Sequence, residues 1–125
     1  MAVNMYSAYQ NTSIQTASKA DLTLMLYDGA IKFCNLGLMA LEKSDYEKAH
    51  HNIIKAEKII LELKATLDTK YPVAKHFEQV YDIIYGYLID ANVKKDATNL
   101  EYALEFIREM RDTWKQVMEL NKGTR

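Results

Sequence analysis

Between Ser18 and Lys43 the chain runs without a proline and is apolar on more than one side of a helix. Two stripes can be drawn at helical spacing. One is Leu22, Met25, Gly29, Phe33, Leu36 and Ala40; the other is Leu24, Tyr27, Ile31, Cys34, Leu38 and Leu41. A helix of that kind must be covered on several sides, by its own domain or by a guest. Ser18 followed three residues later by Asp21 reads as an N-cap with a weak capping box. Asp28-Gly29 resembles a hairpin turn, but the helical period continues through it. Gly29 and Gly37 each cost about 1 kcal/mol against alanine in a helix, and close approach of a neighbouring helix is the expected return.

Three more periodic segments follow. Ser44 with Glu47 reads as a capping box for a second helix, with the seam Tyr46, Ala49, Ile53, Ala56, Ile60, Leu63 and Leu67. Pro72 fits the first position of a third, with the seam Val73, Phe77, Val80, Ile84, Leu88 and Ala91. Asp96 or Thr98 begins the fourth, Thr98 pairing with Glu101 as a box, and its seam is Leu100, Ala103, Ile107, Met110, Trp114 and Val117. Lys94 and Lys95 suit the negative end of the third helix. With one proline and four glycines in 125 residues, the expectation is an all-α, antiparallel up-down four-helix bundle. The helices are expected at about 18–43, 45–68, 72–93 and 97–120, within a bundle of residues 16–121. Residues 1–15 are expected as an N-terminal arm able to form one short helix, and 122–125 as a flexible tail.

Composition removes several classes of function. Net charge is −1, so the basic footprint of a nucleic-acid binder is missing. The single Cys34 excludes an internal disulfide framework and fits a reducing compartment. Met1 to Ser18 has neither the basic start nor the apolar centre of a signal peptide, and no uncharged run is long enough to suggest membrane insertion. A soluble, cytoplasmic protein is expected.

Glu47 and His50 reproduce the Glu-x-x-His spacing of di-iron bundles, but such a site needs a second copy and two more inward glutamates. His51 and His76 have no glutamate three residues before them, so no metal and no cofactor is expected. Cys34 lies mid-helix on an apolar stripe, where a thiol packs rather than reacts. There is no phosphate loop, nucleophile elbow or zinc-protease motif, and no enzyme activity is expected. The nine tyrosines read as core-boundary or interface residues.

A set of motifs in order carries a resemblance. Tyr9-Gln10-Asn11-Thr12-Ser13, Thr16-Ala17-Ser18, Leu22 and Met25-Leu26-Tyr27-Asp28-Gly29-Ala30 resemble the N-terminal signature of the flagellar secretion chaperone family FliS. Lys55 to Ile60, Leu63 to Asp68, Ala91-Asn92 with Asp96, and Arg111 to Lys115 are similar to later parts of that family, so the likeness spans roughly residues 6–117. Three positions depart from it. Lys19 stands where the family has proline, Tyr71-Pro72 where it often has a glycine-containing loop, and Gly86-Tyr87 where it often has a basic pair.

The resemblance implies a cytoplasmic helical bundle that binds the disordered C-terminal segment of flagellin. Such a chaperone prevents premature polymerisation and aids delivery to the flagellar type III export apparatus. It further implies an N-terminal segment that covers part of the flagellin-binding surface and is displaced by the guest, and the positions concerned fall on Tyr6 and Tyr9 here. Apolar residues left over from the seams supply candidates for the groove: Leu24, Tyr27, Ile54, Leu61, Ile83 and Tyr87, each a guest contact or a core residue. The export gate, an assembly factor or an anti-sigma factor are further candidate partners. The alternative is a structural or oligomerising adaptor whose spare apolar surface forms a weak homodimer.

Overall fold

In the computed structural model, residues 18–123 are described. They form four helices: α1 (Lys19–Glu42), α2 (Tyr46–Ala65), α3 (Val73–Lys94) and α4 (Ala97–Gly123). No strand occurs among the described residues. The short connections make chain neighbours antiparallel. Each helix packs on the one before it, and α4 closes the ring against α1, giving an up-down four-helix bundle.

The ends of the helices follow from local chemistry. Ser18 caps α1 with a complete box: its Oγ accepts from Asp21 N–H at 3.1 Å, and its own N–H donates to Asp21 Oδ2 at 3.3 Å. Ser44 does not cap α2 as its spacing with Glu47 suggests. It sits in the left-handed region at φ 56° and ends α1, with Asp45 N–H reaching back to Ala40 O at 2.8 Å. The cap of α2 is therefore Asp45, which accepts from Lys48 N–H at 3.2 Å. The α3–α4 corner repeats the device. Lys95 is left-handed at φ 50°, Asp96 N–H bonds Ala91 O at 3.0 Å, and Asp96 Oδ1 caps α4 by accepting from Thr98 N–H at 2.8 Å. Thr98 thus lies inside α4 and has no capping box with Glu101.

The core is a column of alternating large and small side chains. Ile53, Ala56, Ile60 and Leu63 face Phe77, Tyr81, Ile84, Leu88 and Ala91, with Leu100, Ala103, Ile107 and Met110 closing the third side. The contribution of α1 overlaps only in part with the two stripes drawn on its sequence. Its buried residues are Tyr27, Ala30, Cys34, Gly37 and Ala40, a mostly small-residue face that takes Tyr27 and Cys34 from one stripe and Ala40 from the other and adds Ala30 and Gly37. A Cβ at Gly37 would lie 3.1 Å from Leu100 Cδ2 and 3.3 Å from Ile53 Cγ1, and one at Gly29 would lie 3.3 Å from Ile59 Cδ1. The glycines bring the neighbouring helices close. Val73 and Tyr46, read as seam residues, are both 53% exposed, each at the first position of its helix.

Candidate partner-binding surfaces

Because small residues make its core face, the large apolar residues of α1 remain at its margins. Leu22, Leu24, Met25 and Leu36 are half-buried, and Met39 is 53% exposed. The helix is long and apolar enough, by composition, to cross a membrane, a property shared with core helices of soluble proteins; yet only 28% of the stretch concerned is buried. These side chains form an apolar strip along the margin of α1. On the α2 side its edge is Phe33, with Lys32 Nζ 5.5 Å and Lys55 Nζ 5.2 Å from the ring centroid. On the α4 side the indole N–H of Trp114 donates to Ala20 O at 3.0 Å, and Arg111 lies 3.7 Å from Asp28. Leu24 lies one turn from both ties, on the α1–α4 margin.

A second surface runs along α2 and α3. His50, Glu57 and Lys64 recur every seven residues on α2 and turn toward α3. Lys64 Nζ donates to Asp82 Oδ1 at 2.7 Å, and that bond with Asp82 holds the ammonium's pKa above its ordinary value. Lys95 Nζ donates to Asn92 Oδ1 at 2.8 Å, which turns the Asn92 amide nitrogen to His50 Nδ1 at 3.0 Å. Between these ties Glu57 is 6% exposed, with Oε2 buried and unbonded. Burial pushes its carboxyl up from the usual carboxylate range, and nearby His50 offsets part of the rise. Ile54 and Leu61 flank Glu57 on the outer side, Ile54 half-buried and Leu61 46% exposed.

A third surface is aromatic. Tyr87 of α3 stacks on Phe106 of α4 with ring centroids 5.9 Å apart, and Tyr102 lies 5.4 Å from Tyr87. Ile83, one turn before Tyr87, is 48% exposed, and Tyr102 is 47% exposed. Gly86 beside them faces open space.

The six groove candidates on the bundle therefore do not converge. Leu24 sits at the first surface, Ile54 and Leu61 at the second, and Ile83 and Tyr87 at the third. Tyr27 belongs to none of them: it is 1% exposed, and its hydroxyl bonds that of Tyr81 across the core. Burial is the main cause that raises its phenol pKa. It is an interior residue, correcting its place among the surface candidates; its apolar ring fills the core and Tyr81 satisfies its polar tip. Tyr6 and Tyr9 lie outside the described residues. Sequence reasoning missed Glu57, whose signal was the seven-residue spacing with His50 and Lys64, and it missed Tyr102.

Cys34 is fully buried, and burial pushes its thiol up to about 12. The depressions at Asp45, Lys48, His51 and Lys55 and at Lys115, Gln116, Glu119 and Leu120 are shallow and open.

The family model described as flagellar protein FliS matches residues 2–121. The chain belongs to the FliS family. It is 38% identical over 122 residues to the flagellar secretion chaperone FliS of Bacillus subtilis, covering 98% of this chain and 92% of that one. It is 29% identical over 116 residues to the FliS chaperone of Vibrio cholerae, covering 88% and 85% of the two chains. The FliS chaperone of Salmonella typhimurium is 29% identical over 109 residues, covering 85% and 81%. The FliS match takes in nearly all of the stretch before Ser18, where Tyr6 and Tyr9 lie. The chain is thus a member of a flagellar export chaperone family built as a helical bundle.

Proposed function

We propose that this chaperone works in the cytoplasm, where it binds the disordered C-terminal segment of flagellin, prevents premature polymerisation and helps deliver it to the flagellar type III export apparatus. Membership of the FliS family supports that reading, and the observation that carries it to a place on the molecule is the apolar margin of α1. Leu22, Leu24, Met25, Leu36 and Met39 offer a long surface on which amphipathic helices of a guest can lie. A disordered guest loses entropy as it orders, so a long interface remains releasable without a nucleotide-driven step. The chain acts as a binder and not as a catalyst, and no metal or cofactor enters the proposal. The export gate, an assembly factor or an anti-sigma factor would meet the loaded complex.

Titration calorimetry of the whole chain with a peptide of the flagellin C-terminal segment tests this. Binding of the peptide is expected, with polar substitutions at Leu24, Ile54, Leu61, Ile83 and Tyr87 weakening it where the guest lies. Tyr6→Ala combined with Tyr9→Ala is expected to leave the helical signal intact and to change the affinity. Unchanged affinity would remove these tyrosines from the mechanism. The exposed apolar surfaces also suit self-association, and light scattering separates that reading. A stable dimer that ignores the peptide would favour an oligomerising adaptor.

A further inference from the structure

Glu57 is an oddity in the α2–α3 seam: a carboxylate with 6% exposure whose Oε2 is buried without a hydrogen-bond partner. Buried carboxylates are normally paired, because an unpaired one keeps the desolvation cost and gains nothing in return. The cationic groups on its own row and across the seam are already engaged. Lys64, seven residues on, holds Asp82 at 2.7 Å; Lys95 holds Asn92 at 2.8 Å, and His50 takes the other side of that amide at 3.0 Å. On the other flank of α2, Lys55 and Lys32 lie over the ring of Phe33. From α3 the further charged groups along the seam are the acids Asp82 and Glu78, both close enough to act on Lys64. The seam thus holds a carboxylate short of one positive charge.

The residues beside it supply the rest of a docking site. Ile54 and Leu61 stand three residues before and four residues after Glu57, on the outward side of the same α2 face. Glu57 lies at the inner edge of that line, 6% exposed, and Lys58 stands exposed on its outer edge. Resting on the flagellin reading above, we propose that the α2–α3 groove takes a helical part of the guest that carries an arginine or lysine between apolar side chains. Its cation pairs with Glu57 while its apolar residues seat on Ile54 and Leu61. The guest charge completes a site that the free chaperone leaves unpaired, and it favours the ionised carboxylate that burial disfavours. Docking is therefore coupled to loss of a proton wherever Glu57 is protonated in the free chain.

The test is calorimetry of the full chain with the C-terminal peptide of the host's flagellin. It is run at several values between about pH 5 and pH 8, in two buffers of different ionisation enthalpy. Glu57→Gln keeps the shape and removes the charge, and its helical signal and melting check that it folds. The wild type is expected to bind and to release protons. Glu57→Gln is expected to bind about tenfold more weakly, the worth of one charge-assisted bond, and to release none. Replacing the guest's arginine or lysine by glutamine should reproduce the loss in the wild type and add nothing in Glu57→Gln. Equal affinity of the two chains, or proton release that survives in Glu57→Gln, would overturn the assignment while leaving flagellin as the guest. A wild type that ignores the peptide would overturn both.

Discussion

The two sides of α2 are built on opposite principles. Toward α1 it meets small residues: Gly37 leaves room for Ile53, and Gly29 for Ile59. Toward α3 its apolar residues meet Phe77, Tyr81 and Ile84, and outside that contact runs a polar row, His50, Glu57 and Lys64, tied to Asn92 and Asp82 at either end. The first contact gains stability from close apolar packing, which falls off steeply with separation. The second fixes register through directional bonds but gains little net energy from them, since each exposed pair is worth about 0–1 kcal/mol. The consequence for function is direct. Close packing on small residues expels the large side chains of α1 to its margins, where a guest can reach them.

The contrast is broken most severely at Gly37. Its neighbours Leu100 and Ile53 are both fully buried, so neither has space to move from an added side chain. Gly37→Val is expected to lower unfolding free energy by about 3 kcal/mol, through overpacking of a dense core. Urea denaturation followed by circular dichroism reads this as a lower midpoint at unchanged slope. A loss under about 0.5 kcal/mol, the scale of an ordinary surface change, would mean that α1 and α2 are not packed through that glycine.

Why the fold was legible and the site was not follows from the same contrast. In α2 and α4 the buried residues Ile53, Ile60, Leu63, Leu100, Ile107 and Met110 are large and recur at helical spacing, so periodicity marks them. In α1 size and burial part company. Ala30, Cys34, Gly37 and Ala40 go inside, while Leu22, Leu24 and Leu36 do not. A reading that weighs hydrophobic size takes Tyr27, Cys34 and Ala40 into its stripes but passes over Ala30 and Gly37, which complete the core face. Tyr27 misled for a related reason. A tyrosine at a boundary and a tyrosine bonded inside look alike until Tyr81, fifty-four residues on, is seen to meet it. The helix ends were half legible, because acid and hydroxyl caps compete over two adjacent residues. Only the backbone shows that Ser44 finishes α1 and Asp45 begins α2.

The polar seam is probed by stability as well as by binding. A carboxyl whose folded pKa is raised binds protons more tightly in the native state than in the unfolded chain. Its burial is therefore least costly below the unfolded pKa, about 4.3. Stability falls as pH rises from there through the folded value, above which the full cost applies. Glu57→Gln removes that slope. Paired denaturant titrations at about pH 5 and pH 8 should show the variant gaining on the wild type as pH rises, by about 1 kcal/mol at the upper end. Other carboxylates, Asp82 with Lys64 among them, cancel in the difference. A constant offset at the two values would mean that Glu57 titrates alike in folded and unfolded chains.

The smallest expected effect tests whether glycine in this bundle always means approach. Gly86 lies within α3 like Gly37 within α1, but a Cβ there would meet nothing within 4 Å. With no neighbour to displace, only the backbone term remains. Alanine restricts the unfolded chain and favours the helix, so Gly86→Ala should raise unfolding free energy by about 0.5–1 kcal/mol. The same denaturation series that shows Gly37→Val falling should show this variant rising. Exchanging glycine for a larger residue then has opposite signs at two helix-interior positions, decided by what stands opposite each. If Gly86→Ala instead loses stability, something must occupy the space beside Tyr87 in solution. Repeating the measurement across a range of protein concentrations would show whether a second copy supplies it.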